Sequence, residues 1–117
     1  MPGTVLIVDD HEGFRASARR LLEADGYEVV GEAVDGERGI EAAATLEPEV
    51  VLLDVQLPGI DGFAVARRLT ARPGAPAVVL TSTREGAEFG ALVEESGARG
   101  FVPKDELSGR ALAAVLG

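Results

Sequence analysis

The feature that most restricts this chain is the alternation of two hydrophobic rhythms along it. Thr4-Val5-Leu6-Ile7-Val8 is a nearly continuous apolar run that stops at Asp9-Asp10. Val50-Val51-Leu52-Leu53 stops at Asp54, and Ala77-Val78-Val79-Leu80 stops at Thr81. Gly100-Phe101-Val102 is shorter and ends near Lys104, while the run from Tyr27 to Ala33 is β-branched and partly alternating. Runs this short and this uniformly apolar suit strands buried on both faces, as in parallel sheets. Between them, apolar residues recur at helical spacing. Phe14, Ala18, Leu21 and Leu22 form one such set, Ile40, Ala43 and Ala44 a second, and Phe63, Ala66 and Leu69 a third. Phe89, Leu92 and Val93 follow, and then Leu107, Ala111, Ala114 and Val115. Gly26, Pro48 and Gly97 stand just past three of these segments, where helices stop.

The order is strand then helix, five times over, which predicts an α/β fold with a parallel sheet and right-handed crossovers. Five such units suit the flavodoxin-like (βα)5 doubly wound sheet with strand order 2-1-3-4-5. At 117 residues the chain fits one domain, residues 1–117, and Arg72-Pro73-Gly74-Ala75-Pro76 reads as a loop rather than a linker. A net charge of −9 repels phosphate backbones, so direct nucleic-acid binding is not expected. The absence of cysteine excludes disulfides, thiolate metal sites and cysteine nucleophiles. No apolar stretch reaches the length of a membrane span. Met1-Pro2-Gly3 leads straight into a strand-like run rather than a signal peptide, so the expected compartment is the cytoplasm. Ten of the eleven basic side chains are arginine; the lone lysine is Lys104. Lysine carries a compact ammonium where arginine carries a planar fork, and the two differ at a tight anion site.

In open α/β sheets, ligands bind beyond the carboxyl ends of the strands, where the strand order reverses. The polar residues of this chain stand at those ends. Asp9 and Asp10 follow the first strand, Asp54 the third and Lys104 the fifth, while Thr81 closes the fourth. In the order 2-1-3-4-5 these strands are consecutive neighbours, so the five residues should meet at one cleft. Crowded carboxylates repel by roughly 4 kcal/mol per pair at 4 Å and an effective dielectric of 20. A hard divalent cation relieves that repulsion, and magnesium prefers oxygen ligands, commonly one or two carboxylates plus phosphate oxygens. One histidine and no cysteine make a zinc-type site a poor match. A lysine ammonium and a threonine hydroxyl across the cleft suit the remaining oxygens of a phosphoryl group. Taken alone, Asp9-Asp10 would read as a helix cap; joined to Asp54, Thr81 and Lys104 it reads as a site.

The chain resembles a response-regulator receiver domain of two-component signalling. The resemblance rests on Val5-Leu6-Ile7-Val8-Asp9-Asp10, on Val51 through Gly62, on Val79-Leu80-Thr81-Ser82 and on Gly97 through Lys104, and covers essentially the whole sequence. Asp9-Asp10-His11 and Val30-Gly31-Glu32-Ala33 are most similar to the NarL/LuxR-type branch, whose members usually carry a C-terminal helix-turn-helix. The resemblance implies a phosphorylation-activated switch rather than a turnover enzyme. Asp54 would take a phosphoryl group from a sensor histidine kinase, Asp10 would bind Mg2+ directly, and Asp9 would assist through water. Gln56 would add its backbone carbonyl. Thr81 would hydrogen-bond the phosphoryl group and draw in the loop after the fourth strand, Phe101 would turn inward as that loop moves, and Lys104 would pair with the phosphoryl group. Gln56 and Thr83 would tune phosphoryl lifetime. The output would be a changed surface on the fourth helix, fifth strand and fifth helix, or on the first and fifth helices. Dimerisation on phosphorylation, and an output in transcription through a separate DNA-binding domain, belong to the same implication.

Departures from the family pattern are local. Pro103 precedes Lys104 and Asp105 follows it, where many receivers have proline after the lysine, and Phe101 lacks the hydroxyl of the frequent tyrosine. An aspartyl-nucleophile phosphatase would need an acid two residues past Asp54, where Gln56 stands. A P-loop needs its lysine inside a glycine-rich turn, whereas Lys104 lies between Pro103 and Asp105. A receiver-like interaction module that is never phosphorylated remains the alternative. Among the other residues, His11 reads as a partly exposed histidine and Asp61 as the cap of the third helix. Pro58, Gly59 and Gly62 read as shaping the loop beyond Asp54, and Arg67-Arg68 and Glu94-Glu95 as solvated helix faces.

Overall fold

The computed structural model of the chain describes residues 3–83 and 89–117. Its elements are β1 (Thr4–Val8), α1 (Glu12–Ala24), β2 (Glu28–Ala33), α2 (Gly36–Leu46), β3 (Val50–Asp54), α3 (Gly62–Thr70), β4 (Ala77–Ser82), α4 (Gly90–Glu95), β5 (Gly100–Pro103) and α5 (Gly109–Leu116). A 3-10 turn at Lys104–Glu106 joins β5 to α5. The strands pair in parallel in the order β2-β1-β3-β4-β5, the flavodoxin-like arrangement predicted from the rhythm of the sequence.

The uninterrupted apolar runs have a direct cause. Successive strand residues point to opposite faces, and both faces of this sheet are covered. Leu6, Val8, Val51, Leu53, Val78 and Leu80 join Phe63, Val65, Ala66 and Leu69 in one core. Val5, Ile7, Val50, Leu52, Val79 and Val102 join Ala18, Leu22 and Leu112 in the other. Three of the five described helices start where a short polar side chain accepts a free amide hydrogen: Asp35 from Arg38 N, Asp61 from Ala64 N and Ser108 from Ala111 N. The cap predicted at Asp61 is therefore present. Helix α2 ends at Glu47, which takes a left-handed φ of 48°, immediately before Pro48.

Four helix faces differ from the periodicity. In α2 Ala44 is exposed, and in α4 Leu92 is 45% exposed while Phe89 precedes the helix. Leu21 is 44% exposed, so α1 is buried through Ala18 and Leu22 instead. In the last helix Leu112 is fully buried while Ala114 is exposed. Leu107 is buried but extended and precedes the Ser108 cap, so a helical phase counted from Leu107 begins outside the helix.

One glycine holds the β3 end in place. A Cβ on Gly62 would overlap the Asp54 carbonyl oxygen and lie 2.7 Å from Val55 Cα, and both are backbone atoms that cannot swing aside. Gly62 N also donates to Val55 O at 2.9 Å, closing the loop that carries Asp54. Gly62→Ala should therefore destabilise the fold by about 2 kcal/mol or more, the scale of overpacking a tight contact. Thermal unfolding by circular dichroism checks this. An unchanged melting temperature would mean that the loop is not pinned as described.

Candidate acidic cleft

Each strand that reaches the cleft delivers its polar residue at the point where the apolar run ends. Asp9 follows β1 and is completely buried; its N–H donates to Ala33 O at 3.0 Å. Asp9 Oδ1 accepts from His11 N at 2.8 Å, which turns the carboxylate towards the cleft. Asp9 Oδ2 is buried and accepts no well-aligned hydrogen bond, although Lys104 Nζ lies 2.7 Å away as an ion pair. Asp54, 2% exposed, closes β3 in register with Thr81 of β4. Its Oδ1 accepts from Gln56 N at 3.1 Å, and its Oδ2 lies 3.4 Å from Lys104 Nζ. Lys104 opens the 3-10 turn and reaches back over the sheet end, its ammonium 4.5 Å from the centroid of the Phe14 ring. Asp10 is exposed at the mouth of the cleft.

Asp9, Asp10, Asp54 and Lys104 thus come together as expected from the strand ends, and Thr81 stands beside them. The Thr81 hydroxyl, however, donates to Val102 O at 2.7 Å and is turned towards β5. Gln56 offers its backbone while its side chain is exposed, and Thr83 is exposed. The loop after β4, to which the resemblance assigns the switching movement, lies largely in residues 84–88, outside the described residues. Phe101 is half-buried. Its ring centroid lies 5.7 Å from that of Phe89, which lies 5.6 Å from that of Phe63. The Lys104–Glu106 turn settles the shape of the Pro103-Lys104-Asp105 segment, closed by Leu107 N donating to Lys104 O at 3.4 Å.

Periodicity assigned Phe14 only to a helix face, and nothing in its spacing announces a ring beneath a lysine. His11 is also more involved than its exposed position in the sequence suggests. Its Nδ1 lies 3.2 Å from Asp9 Oδ1 and 3.2 Å from Asp10 Oδ1.

Burial pushes the Asp54 carboxyl above its usual range and the Asp9 charge pushes it further; the Gln56 amide and Lys104 oppose this without cancelling it. The donors suit a hard divalent cation. One ligand atom from each of Asp9, Asp10, His11 and Asp54 lies within 4.8 Å of the others, mostly carboxylate oxygens, and buried Asp9 Oδ2 lacks an aligned hydrogen bond.

A family model described as "Response regulator receiver domain" matches residues 5–116. The chain belongs to the response-regulator receiver family. The nitrate/nitrite response regulator NarL of Escherichia coli is 35% identical over 105 residues, covering 89% of this chain and 49% of the relative. A protein-glutamate methylesterase/protein-glutamine glutaminase of Anaeromyxobacter dehalogenans is 48% identical over 109 residues, covering 92% of this chain and 31% of the relative. The signal receiver domain of a NarL-type regulator from Mycobacterium tuberculosis superposes with a TM-score of 0.87 at 34% identity, covering 99% of this chain and 98% of that one. This receiver is similar to the NarL/LuxR-type branch and spans half or less of the length of these curated relatives. No helix among the described residues is long and apolar enough to cross a membrane.

The raised Asp54 pKa has a consequence for stability. Below the unfolded carboxylate's range, near pH 4, Asp54 is protonated in both states and carries no penalty. As pH rises through its elevated folded pKa, the buried charge opposes folding. In the absence of divalent metal, Asp54→Asn should therefore stabilise the receiver near neutral pH by about 1 kcal/mol, a few degrees in Tm. The gap should close in acid. Paired melting curves from pH 3.5 to 8 check this, and a variant less stable than the parent at pH 7 would contradict it.

Proposed function

We propose that this receiver is a phosphorylation-activated switch in which Asp54 accepts a phosphoryl group from the phosphohistidine of a sensor histidine kinase, in a Mg2+-dependent reaction. The observation that carries this reading is the Lys104 ammonium, set between buried Asp9 Oδ2 at 2.7 Å and Asp54 Oδ2 at 3.4 Å. A fixed cation at that point can follow charge from a carboxylate oxygen to a phosphoryl oxygen bonded to it.

The step forms one bond and breaks one. An Asp54 carboxylate oxygen attacks phosphorus, the P–N bond to the kinase histidine breaks, and the imidazole keeps that electron pair. The ring leaves neutral when its other nitrogen carries a proton. The product is an aspartyl phosphate, an acyl phosphate that water can later hydrolyse. Gln56 N holds Asp54 Oδ1, which leaves Oδ2 as the oxygen facing Lys104 and the incoming phosphorus. Asp10, Asp54 and the Gln56 carbonyl would hold Mg2+, with Asp9 assisting through water, and the bound ion would supply positive charge against the phosphoryl oxygens. Lys104 shares that task. The receiver catalyses no reaction beyond its own phosphorylation and dephosphorylation, and Gln56 and Thr83 set the lifetime.

Conversion to the active state requires the Thr81 hydroxyl to leave Val102 O for a phosphoryl oxygen. Phe101, already against Phe89, would then turn inward by packing alone, since it has no hydroxyl to place. The face that would change is the shallow groove lined by Val93, Glu94, Phe101 and Pro103 between α4 and β5. Likeness to the NarL-type regulators supports an output in transcription through a separate DNA-binding domain. Likeness to the methylesterases favours a second reading, in which the same switch governs an enzymatic domain.

Intact-mass spectrometry after incubation with magnesium and acetyl phosphate tests the reaction. One phosphoryl addition is expected, lost in base, absent without magnesium and absent in Asp54→Asn. A parent protein that binds magnesium yet gains no adduct would instead mark an interaction module that is not phosphorylated. Sedimentation velocity tests the transcriptional output, because paired DNA half-sites call for a two-fold dimer. The phosphorylated receiver should sediment as a dimer, and a strictly monomeric phosphorylated form would count against that output.

A further inference from the structure

Asp9 is held at its backbone from two sides. Its N–H is bound by Ala33 of β2, but β1 ends at Val8, so the Asp9 carbonyl lies past the β1 ladder. Arg15, in the first turn of α1, donates from Nη1 to that carbonyl at 2.7 Å. The same guanidinium donates from Nε to Glu32 Oε1 at 3.0 Å. Glu32 is gripped again by Arg19 Nε at 2.9 Å on its other oxygen. Burial alone would push the Glu32 carboxyl up, yet hydrogen bonds and charge from Arg19 and Arg15 bring it below the usual range, so it stays anionic. The Arg15 side chain is only 13% exposed, unlike a freely solvated surface arginine.

From this geometry we infer that Arg15 is a positioning residue for the acidic cleft: anchored on Glu32, it fixes the peptide plane between Asp9 and Asp10 and so sets the separation of the two carboxylates that receive the divalent cation. The inference rests on the proposed role of that cleft. Carboxylates brought this close push apart, and the Asp9–Asp10 peptide is the link through which they can separate. Rotating that plane would swing Asp10 away from Asp54. A fork that bonds a carbonyl with one arm and a carboxylate with another opposes the rotation, and lysine, with one ammonium, cannot span both partners in the same planar geometry.

The competing account is that Arg15 acts only as a positive charge near the acids. The two accounts predict different results. As a charge alone, Arg15→Lys would leave magnesium affinity unchanged and Arg15→Gln would tighten it by removing a cation. As a positioning residue, both substitutions weaken it.

The test is a titration of the isotope-labelled receiver with magnesium chloride, followed by amide and carbonyl NMR shifts, on the parent, Arg15→Lys and Arg15→Gln. The expected result is a Kd about tenfold weaker in both variants, the lower end of what removing a supporting partner of a metal ligand costs. A displaced Asp9 carbonyl 13C shift should already be visible without metal. Equal or tighter binding by Arg15→Lys, with the parent binding magnesium, would overturn this inference and leave the cleft reading intact. A parent that binds no magnesium would overturn both.

Discussion

Two carboxylates, Asp9 and Asp54, are almost completely buried at the carboxyl end of the sheet, and a single ammonium, Lys104, stands between them. That ion cluster is the constraint on which the rest of the structure depends. Burying an unpaired carboxylate is costly enough that the group normally neutralises instead. Removing the ammonium would leave both buried carboxylates without their cation, and breaking a buried pair in that way typically costs about 3–5 kcal/mol. Lys104 makes the arrangement tolerable without making it comfortable, since the Asp54 carboxyl remains above its usual range. A cleft in that condition has spare affinity for positive charge at its mouth, where Asp10 and the His11 ring sit.

The fold around the cluster serves to hold it. Parallel pairing of β1, β3, β4 and β5 brings four strand ends to the carboxyl end of the sheet, and the register puts Asp54 and Thr81 on adjacent strands side by side. The two apolar cores fix the strands against movement from either face. Gly62 keeps the loop after β3 tight against the Asp54 backbone. Rigidity is not uniform, however: α4 spans only six residues and none of them is buried. Weak packing there and strong packing around β1 and β3 suit the proposed switch, because an element that moves must have little to lose.

How much of this was legible depended on what each residue's position encodes. Strand order and the convergence of Asp9, Asp10, Asp54 and Lys104 were legible because an apolar run ending in a charged residue fixes both a strand and the place where its polar group emerges. The lone lysine was legible against a background of arginine. Arg15 and Phe14 were not, because both occupy ordinary helical positions and their partners, Asp9 O and Lys104 Nζ, are defined only once α1 is laid on the sheet. The direction of the Thr81 hydroxyl was equally hidden, being a rotamer choice made by Val102 O on the next strand. The phase of α5 departs from the periodicity because Leu107 is buried without being helical, a distinction that hydrophobicity does not make.

The central claim is that the Lys104 ammonium belongs to the group carried by Asp54 and follows it from carboxylate to phosphoryl. Because the chain contains one lysine, lysine-selective 13C labelling yields a single Cε environment to follow by NMR. On addition of acetyl phosphate and magnesium, that resonance should move to a new position in the parent protein, return as the aspartyl phosphate hydrolyses, and shift in Asp54→Asn with magnesium alone but not further with acetyl phosphate. A Cε resonance that stays fixed while mass spectrometry reports a phosphorylated Asp54 would contradict the account.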